Sequence, residues 1–226
     1  MRFDAEDAQH ELDAIGKGLS GHISIGIVPT AAQFVLPSVA RQLLAEAPDV
    51  TLRTVVGLTA TLMPLLQHGE IEMMVGTESS AETGYVSRLL AEDAIVVAAS
   101  ADHELFRGKP TLKDLAAYRW ALQPPGAPTR DWLDHTFDRK RLPRPRVQVE
   151  STMLLMLPAL IAQTGLLSFI SRRHLGERAA KSGLKEVPIR EATMRRRLVV
   201  TYRDKGYLSP AASRLLELFS RVRDSA

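Results

Sequence analysis

There is no cysteine among the 226 residues of this chain. Disulfides, thiolate nucleophiles, iron–sulfur ligation and thiol redox switching are thereby excluded. Long apolar runs are missing too, since none reaches the about 18 residues that a membrane-spanning helix requires. The first twenty residues, MRFDAEDAQHELDAIGKGLS, mix acids and bases around no apolar core. They do not read as a secretory signal, so the expected location is cytoplasmic. Charge of one sign is also weak: 29 Lys and Arg against 26 Asp and Glu leave a formal net charge of +3. Two basic runs stand out, Lys140-Arg141-Leu142-Pro143-Arg144-Pro145-Arg146 and Arg195-Arg196-Arg197. Neither has the interleaved aromatics of a single-strand nucleic-acid binder, and both read as solvated faces.

Recognisable catalytic or metal-binding motifs are equally scarce. The six histidines, His10, His22, His68, His103, His135 and His174, share no ligand spacing, and there is no H-E-x-x-H. There is no G-x-S-x-G elbow and no phosphate-binding P-loop. Glu70 and Glu72 stand at the start of a predicted strand, and no paired-carboxylate site is expected there. Gly16-Lys17-Gly18-Leu19-Ser20-Gly21 spells G-x-G-x-x-G. The order here is helix, glycines, strand, whereas the dinucleotide fingerprint needs strand, glycines, helix. It reads as a hinge. No catalytic residue, cofactor or metal site is expected, and the chain reads as a non-enzyme.

What is present is a strand–helix rhythm. Residues 4–16 suit a short polar helix with little apolar area. Alternation then predicts a strand over 22–27, a helical stretch ending near Glu46, a strand over 50–56, a helix over about 60–68 and a strand over 71–75. Short turns between them imply right-handed crossovers and a parallel sheet. Two more extended runs, Gly84–Leu90 and Ala94–Ala99, complete a first lobe. A second α/β texture follows: a short helix from Thr111, a strand at Tyr118–Leu122, and a helix Arg130–Lys140 capped by Thr129. Then come a strand at Val147–Glu150, a helix Thr152–Thr164, a strand Leu166–Ile170, a helix over about 172–180 and a strand Leu184–Pro188. A strand over 195–202 and a helix opened by Ser209-Pro210 close the chain.

Pro37 and Pro64 bear on where helices begin. Leu36, preceding a proline, avoids the α region, so residues 31–35 form a separate turn and the main helix starts at Pro37. By the same argument Thr61 competes with Thr59 as the cap of the next helix. Small hydroxyl residues and glycines recur where strands end: Thr30, Gly57 and Thr59, then Ser151 and Thr152. In a parallel sheet such turns share the carboxyl edge, beside which ligands bind. Unpaired amides at helix starts favour a carboxylate or similar anion. Capping alone, worth about 1 kcal/mol each, accounts for any single one of them.

An ordered set of segments carries a family resemblance. It runs Ser20-Gly21-His22-Ile23-Ser24-Ile25-Gly26, Leu36-Pro37, Ala47-Pro48-Asp49-Val50-Thr51-Leu52, Gly57-Leu58-Thr59 and Leu65-Leu66-Gln67-His68-Gly69-Glu70-Ile71-Glu72. Val96-Val97, Asp102-His103-Glu104-Leu105 and Leu112-Lys113-Asp114-Leu115 continue it. Over about residues 20–222 the chain resembles the effector-binding domain of LysR-type transcriptional regulators. The family usually has aspartate where Glu72 stands. The resemblance implies an α/β fold of the type 2 periplasmic-binding-protein kind, two lobes joined by two crossover strands. Lobe I is expected over 21–100 plus 198–226 and lobe II over 101–197, with 1–20 a remnant of the linker helix and hinge. It implies a small, carboxylate-like effector between the lobes. The implied contacts are Thr30, Ala31, Gly57, Leu58, Thr59, Gln123, Pro124, Ser151, Thr152 and Phe169. It also implies a homo-oligomer, dimer or tetramer, paired head to tail through Val39–Leu44 and Leu52–Val56. DNA would be bound only through an N-terminal helix-turn-helix absent from this sequence; the chain itself is expected to bind DNA weakly and in a salt-sensitive way. A solute-binding protein of a transporter shares this shape and is the alternative reading.

Overall fold

A computed structural model describes residues 20–78, 83–175 and 183–222. The polar helix expected over 4–16 and most of the hinge lie outside the described residues. The chain divides into two compact units, Met1–Glu92 with Arg197–Ala226, and Asp93–Arg196.

The first unit is built on β1 (Ser20–Ile27), whose alternation sends Ile23, Ile25 and Ile27 into the core with no exposed surface. β2 (Asp49–Val56) pairs with β1 in parallel along its whole length, and β3 (Met73–Thr77) pairs in parallel on the other side. α1 (Pro29–Phe34) and α2 (Leu36–Glu46) connect β1 to β2, while α3 (Thr59–His68) connects β2 to β3. The helix break falls where Pro37 demands it, early in α2, with Val35 as the residue between the two helices. Val39 and Leu43 point into the core; Leu44 is 47% exposed. Val39 is therefore a core residue rather than part of an interface.

β9 (Thr193–Arg203) runs antiparallel to β3. The last helix, α7 (Pro210–Val222), packs on α2 and β1 through buried Leu215, Leu218 and Phe219. Its start is held from two sides. The Ser209 hydroxyl accepts the Ala212 N–H at 3.1 Å, as expected of an N-cap, and Glu72 accepts the Ser209 N–H at 3.0 Å. Arg203 donates to the Leu66 carbonyl at 2.7 Å, closing the last turn of α3.

The second unit centres on β7 (Leu167–Ser171). β5 (Arg119–Leu122) pairs with β7 in parallel and β6 (Arg146–Glu150) pairs with β5 in parallel. β4 (Tyr85–Ser100) pairs antiparallel with β7 and with β8 (Leu184–Glu186). α4 (Leu112–Leu115) precedes β5, α5 (Pro128–Arg139) links β5 to β6, and α6 (Leu157–Ala162) links β6 to β7. Trp120 is buried, donates its Nε1–H to Leu115 at 3.1 Å and meets Phe137 edge-on. The expected helix over 152–164 begins instead as a 3-10 turn, Leu154–Met156, because Pro158 fits only the first turn of α6. Of the helix expected over 172–180, the described part is a 3-10 turn, Arg172–Leu175.

One difference has a clear physical cause. The polar pair Glu92-Asp93 predicts separate strands at Gly84–Leu90 and Ala94–Ala99. They form one strand, β4, because Asp93 is buried and fully engaged. Arg196 on β9 donates to its Oδ2 at 2.6 and 2.8 Å, and Ser171 on β7 donates to Oδ1 at 2.7 Å. The Asp93 and Arg196 side chains are only 1% and 11% exposed. A buried pair is costly to break, since the surviving charge is left without its partner. Asp93→Ala is expected to destabilise the protein by about 3–5 kcal/mol in chemical denaturation, whereas removing half-buried Arg214, paired with the more exposed Glu46 and Glu217, should lower the stability by no more than about 1 kcal/mol.

His174 lies beside this network. Burial holds its pKa below the usual histidine range, with Arg196 acting in the same direction and Asp93 opposing. The unfolded chain therefore takes up the proton first as pH falls. The stabilising contribution of neutral His174 should be present above about pH 6.5 and lost as pH drops through its lowered folded value. Denaturation curves from pH 7.5 to 5 should show a decline that His174→Gln reduces.

Candidate functional site

In the first unit the carboxyl ends of β1, β2 and β3 lie side by side and are stitched together beyond the strands. The Gly57 N–H donates to Ile27 at 3.2 Å, and the Val28 N–H donates to Val75 at 2.9 Å. This brings Thr30, Ala31, Gly57, Leu58 and Thr59 to one edge. Ala31 has no exposed surface and Thr30 only 6%. Leu58 and the preceding Val56 are exposed.

The hydroxyls do not act as the caps considered from sequence. The N-caps of α1 and α3 are Val28 and Leu58, neither with a side-chain bond. Thr59 instead crosses to β3: its Oγ1 lies 3.0 Å from Thr77 Oγ1 and accepts the Thr77 N–H at 3.2 Å. Thr61 lies inside the first turn and donates to the Leu58 carbonyl at 2.8 Å. Two glycines make room for these threonines. A Cβ on Gly57 would sit 2.8 Å from Thr61 Oγ1, and one on Gly76 would sit 2.9 Å from Thr59 Oγ1.

In the second unit the corresponding edge follows β5 and β6. Gln123 is nearly buried, its Oε1 accepting the Thr129 hydroxyl and its carbonyl accepting Arg130 Nη1 at 3.1 Å. Thr129 is thus a brace for Gln123 rather than the N-cap of α5, which is Ala127. Pro124 begins a rigid turn in which Gly126, at φ +87°, donates its N–H to Asp131 at 2.9 Å. After β6, the Ser151 N–H bonds the Leu122 carbonyl at 3.0 Å, tying the two tips together, and Ser151 Oγ accepts the Met153 N–H at 3.0 Å. Thr152 is exposed, as are Met153 and Leu155. Phe169 is 4% exposed and stacks on Trp132 with ring centroids 5.6 Å apart. It underlies the tips as packing.

Sequence reasoning missed Arg130 and Asp134. Arg130 Nε donates to Asp134 Oδ2 at 2.9 Å, with both side chains largely buried. Asp134 Oδ1 has no hydrogen-bond partner among the described residues. Their i,i+4 spacing on the helix after Gln123 was the available signal. The pair neutralises the cation beside Gln123. Among the described residues no cluster of three His, Asp or Glu is arranged to hold a metal ion, and no helix is long and apolar enough to cross a membrane.

Comparison with known proteins identifies the family and the fold. The family described as LysR substrate binding domain matches residues 16–223, and the chain belongs to that family. The HTH-type transcriptional regulator GalR of Pseudomonas putida is 27% identical over 216 residues, covering 94% of this chain and 54% of its own length. The chain thus spans about half of that relative. The regulatory domain of CcmR from Synechocystis, solved in complex with 2-PG, superposes with a TM-score of 0.79 at 21% identity, covering 91% of this chain and 99% of that one. The effector binding domain of QuiR in complex with shikimate gives a TM-score of 0.74 at 18% identity, covering 91% and 98%. These likenesses establish the fold: α/β, of the type 2 periplasmic-binding-protein kind.

The two threonines most open to test play different parts. Thr59→Val removes the acceptor of the Thr77 N–H and should cost about 1–3 kcal/mol in unfolding experiments. Thr152→Ala, at an exposed hydroxyl, should leave stability within about 0.5 kcal/mol of the parent.

Proposed function

We propose that this chain is the ligand-sensing part of a longer LysR-type transcriptional regulator and that it answers to a small, carboxylate-like effector. The observation that carries this reading is the gathering of hydroxyls and backbone donors at the carboxyl ends of the parallel strands in each unit, in a chain that belongs to a substrate-binding family. The contacting groups would be Thr30, Gly57, Leu58 and Thr59 in the first unit and Gln123, Pro124, Ser151 and Thr152 in the second. Ala31 and Phe169 support them from the core. Amides at the start of α3 have no intrahelical acceptor and favour an anion. No redox or metal chemistry is needed for binding of this kind, and the chain is read as a non-enzyme working in the cytoplasm.

The effector acts by differential affinity. A tenfold preference for one arrangement of the protein shifts the equilibrium by about 1.4 kcal/mol. In the whole protein that shift would reach a DNA-binding domain through the geometry of a homo-oligomer. The edge strand β2 and the exposed Leu44 on α2 are the surfaces offered for self-association. The transporter alternative draws no support from GalR, which is a transcriptional regulator.

A thermal-shift screen of small organic acids tests the reading. A ligand at a hundredfold excess over its Kd should stabilise the protein by about 2.7 kcal/mol. Thr152→Ala and Thr30→Val should each abolish or sharply reduce that shift while the unliganded protein remains folded. A shift unchanged in both variants would remove the tips from the binding site.

A further inference from the structure

The two basic runs singled out in the sequence have different fates. In the run at 195–197, Arg196 is buried on Asp93 and Arg197 is paired with Glu78. The run at 140–146 remains on the surface, and the topology adds to it. In the unit β5–α5–β6 the strands are parallel, so the helix returns and ends beside the amino end of β6. Arg139 ends α5, and Lys140 and Arg141 follow in a turn folded back onto it, with the Lys140 and Leu142 N–H groups bonding Phe137 and the Arg141 N–H bonding Asp138. Arg146 is the first residue of β6, and in the strand register it lies directly beside Arg119, the first residue of β5. With Arg144 these make six exposed cations on one edge.

Ordinary surface solvation explains only part of this. The helix C-terminus favours Arg139 and Lys140 through its dipole. Arg144 is satisfied by Asp138, at 2.6 and 2.9 Å. Arg119, Lys140, Arg141 and Arg146 have no side-chain bond or ion pair with another described residue. Like charges placed side by side on neighbouring strands, as Arg119 and Arg146 are, repel one another, and a bound anion would relieve that repulsion.

We propose that this amino-end edge of the second unit is a contact surface for the phosphate backbone of duplex DNA. Five of its six cations are arginines, whose planar guanidinium grips phosphate oxygens in pairs. Residues 139–146 contain no aromatic side chain for stacking on unpaired bases. The contact is therefore with backbone and is independent of sequence. The choice of DNA over an acidic protein rests on the regulator reading above, which keeps a duplex close to this domain.

The test is fluorescence anisotropy of a labelled random-sequence duplex titrated with the full chain at several salt concentrations. The expected result is weak binding, in the micromolar range at low salt, that weakens steeply as salt rises. The triple variant Lys140→Glu/Arg141→Glu/Arg146→Glu should weaken binding at least tenfold. The neutral triple Lys140→Gln/Arg141→Gln/Arg146→Gln should flatten the log–log salt slope by about 0.9 for each phosphate it no longer neutralises, or about 2.7 in all. A control with equal charge change at exposed residues elsewhere, Arg88→Glu/Arg195→Glu/Lys205→Glu, should bind nearly as the parent does. Equal weakening in the control would reduce the effect to net charge and overturn the proposal. So would the absence of parent binding at low salt, or capture of poly-glutamate in preference to the duplex. An effector-induced thermal shift in the same variants reports on the tips alone, so failure of one reading leaves the other standing or falling separately.

Discussion

Parallel strands end together. That constraint underlies every functional feature proposed for this chain. Because β1, β2 and β3 run the same way, as do β5, β6 and β7, each set of strand ends collects on one edge and each set of strand starts on the opposite one. Connecting helices must then begin at the carboxyl edge and finish at the amino edge. Residues far apart in sequence, such as Gly57 and Ile27 or Ser151 and Leu122, become hydrogen-bonded neighbours as a result. The carboxyl edges receive helix starts with their unpaired amides. The amino edge of β5 and β6 receives the helix end, and with it a concentration of positive charge.

Much of this was legible from residue patterns. Alternation in Ile23-Ser24-Ile25-Gly26-Ile27 marks the central strand, and Pro37 marks the break between α1 and α2 because proline fits only a helix's first turn; Leu36, expected to stay outside the helix, opens α2. Ser209-Pro210 gives the start of the last helix, where Ser209 does cap. The less legible parts share a cause: they depend on partners distant in the chain. Asp93 looks like a strand breaker until Arg196 and Ser171 are brought to it. Thr59 looks like a cap until Thr77 takes its hydroxyl, and Thr129 looks like one until Gln123 does. Arg119 is unremarkable in sequence and joins Arg146 of the basic run only through strand register.

The tips of the two units differ in how firmly their groups are held. Thr59 makes two hydrogen bonds to Thr77, and Gln123 is held by Thr129 at its side chain and by Arg130 at its carbonyl, so their orientation is set before any ligand arrives. Such preorganisation reduces the ordering cost of binding. Thr152, followed by exposed Met153 and Leu155, is less constrained. Methionine is flexible and polarizable and adapts to varied apolar shapes. Within the second unit, Gln123 is thus the fixed polar group and the 152–155 segment the adaptable one. Arg130 adds no net charge to this arrangement, because Asp134 already neutralises it.

The two edges of the second unit can also serve two anions without interference. β6 runs five residues from Arg146 to Glu150, and its four steps of about 3.3 Å separate the strand's ends by about 13 Å. Solvent-exposed charges are largely screened beyond about 8 Å at physiological ionic strength. An effector carboxylate near Thr152 and a phosphate near Arg146 therefore exert little direct electrostatic influence on one another. Coupling between them, if the whole regulator has it, must be carried by a change in protein arrangement and not by charge acting through solvent. On the proposed reading, that separation would let the amino edge hold a polyanion while the carboxyl edge takes an effector.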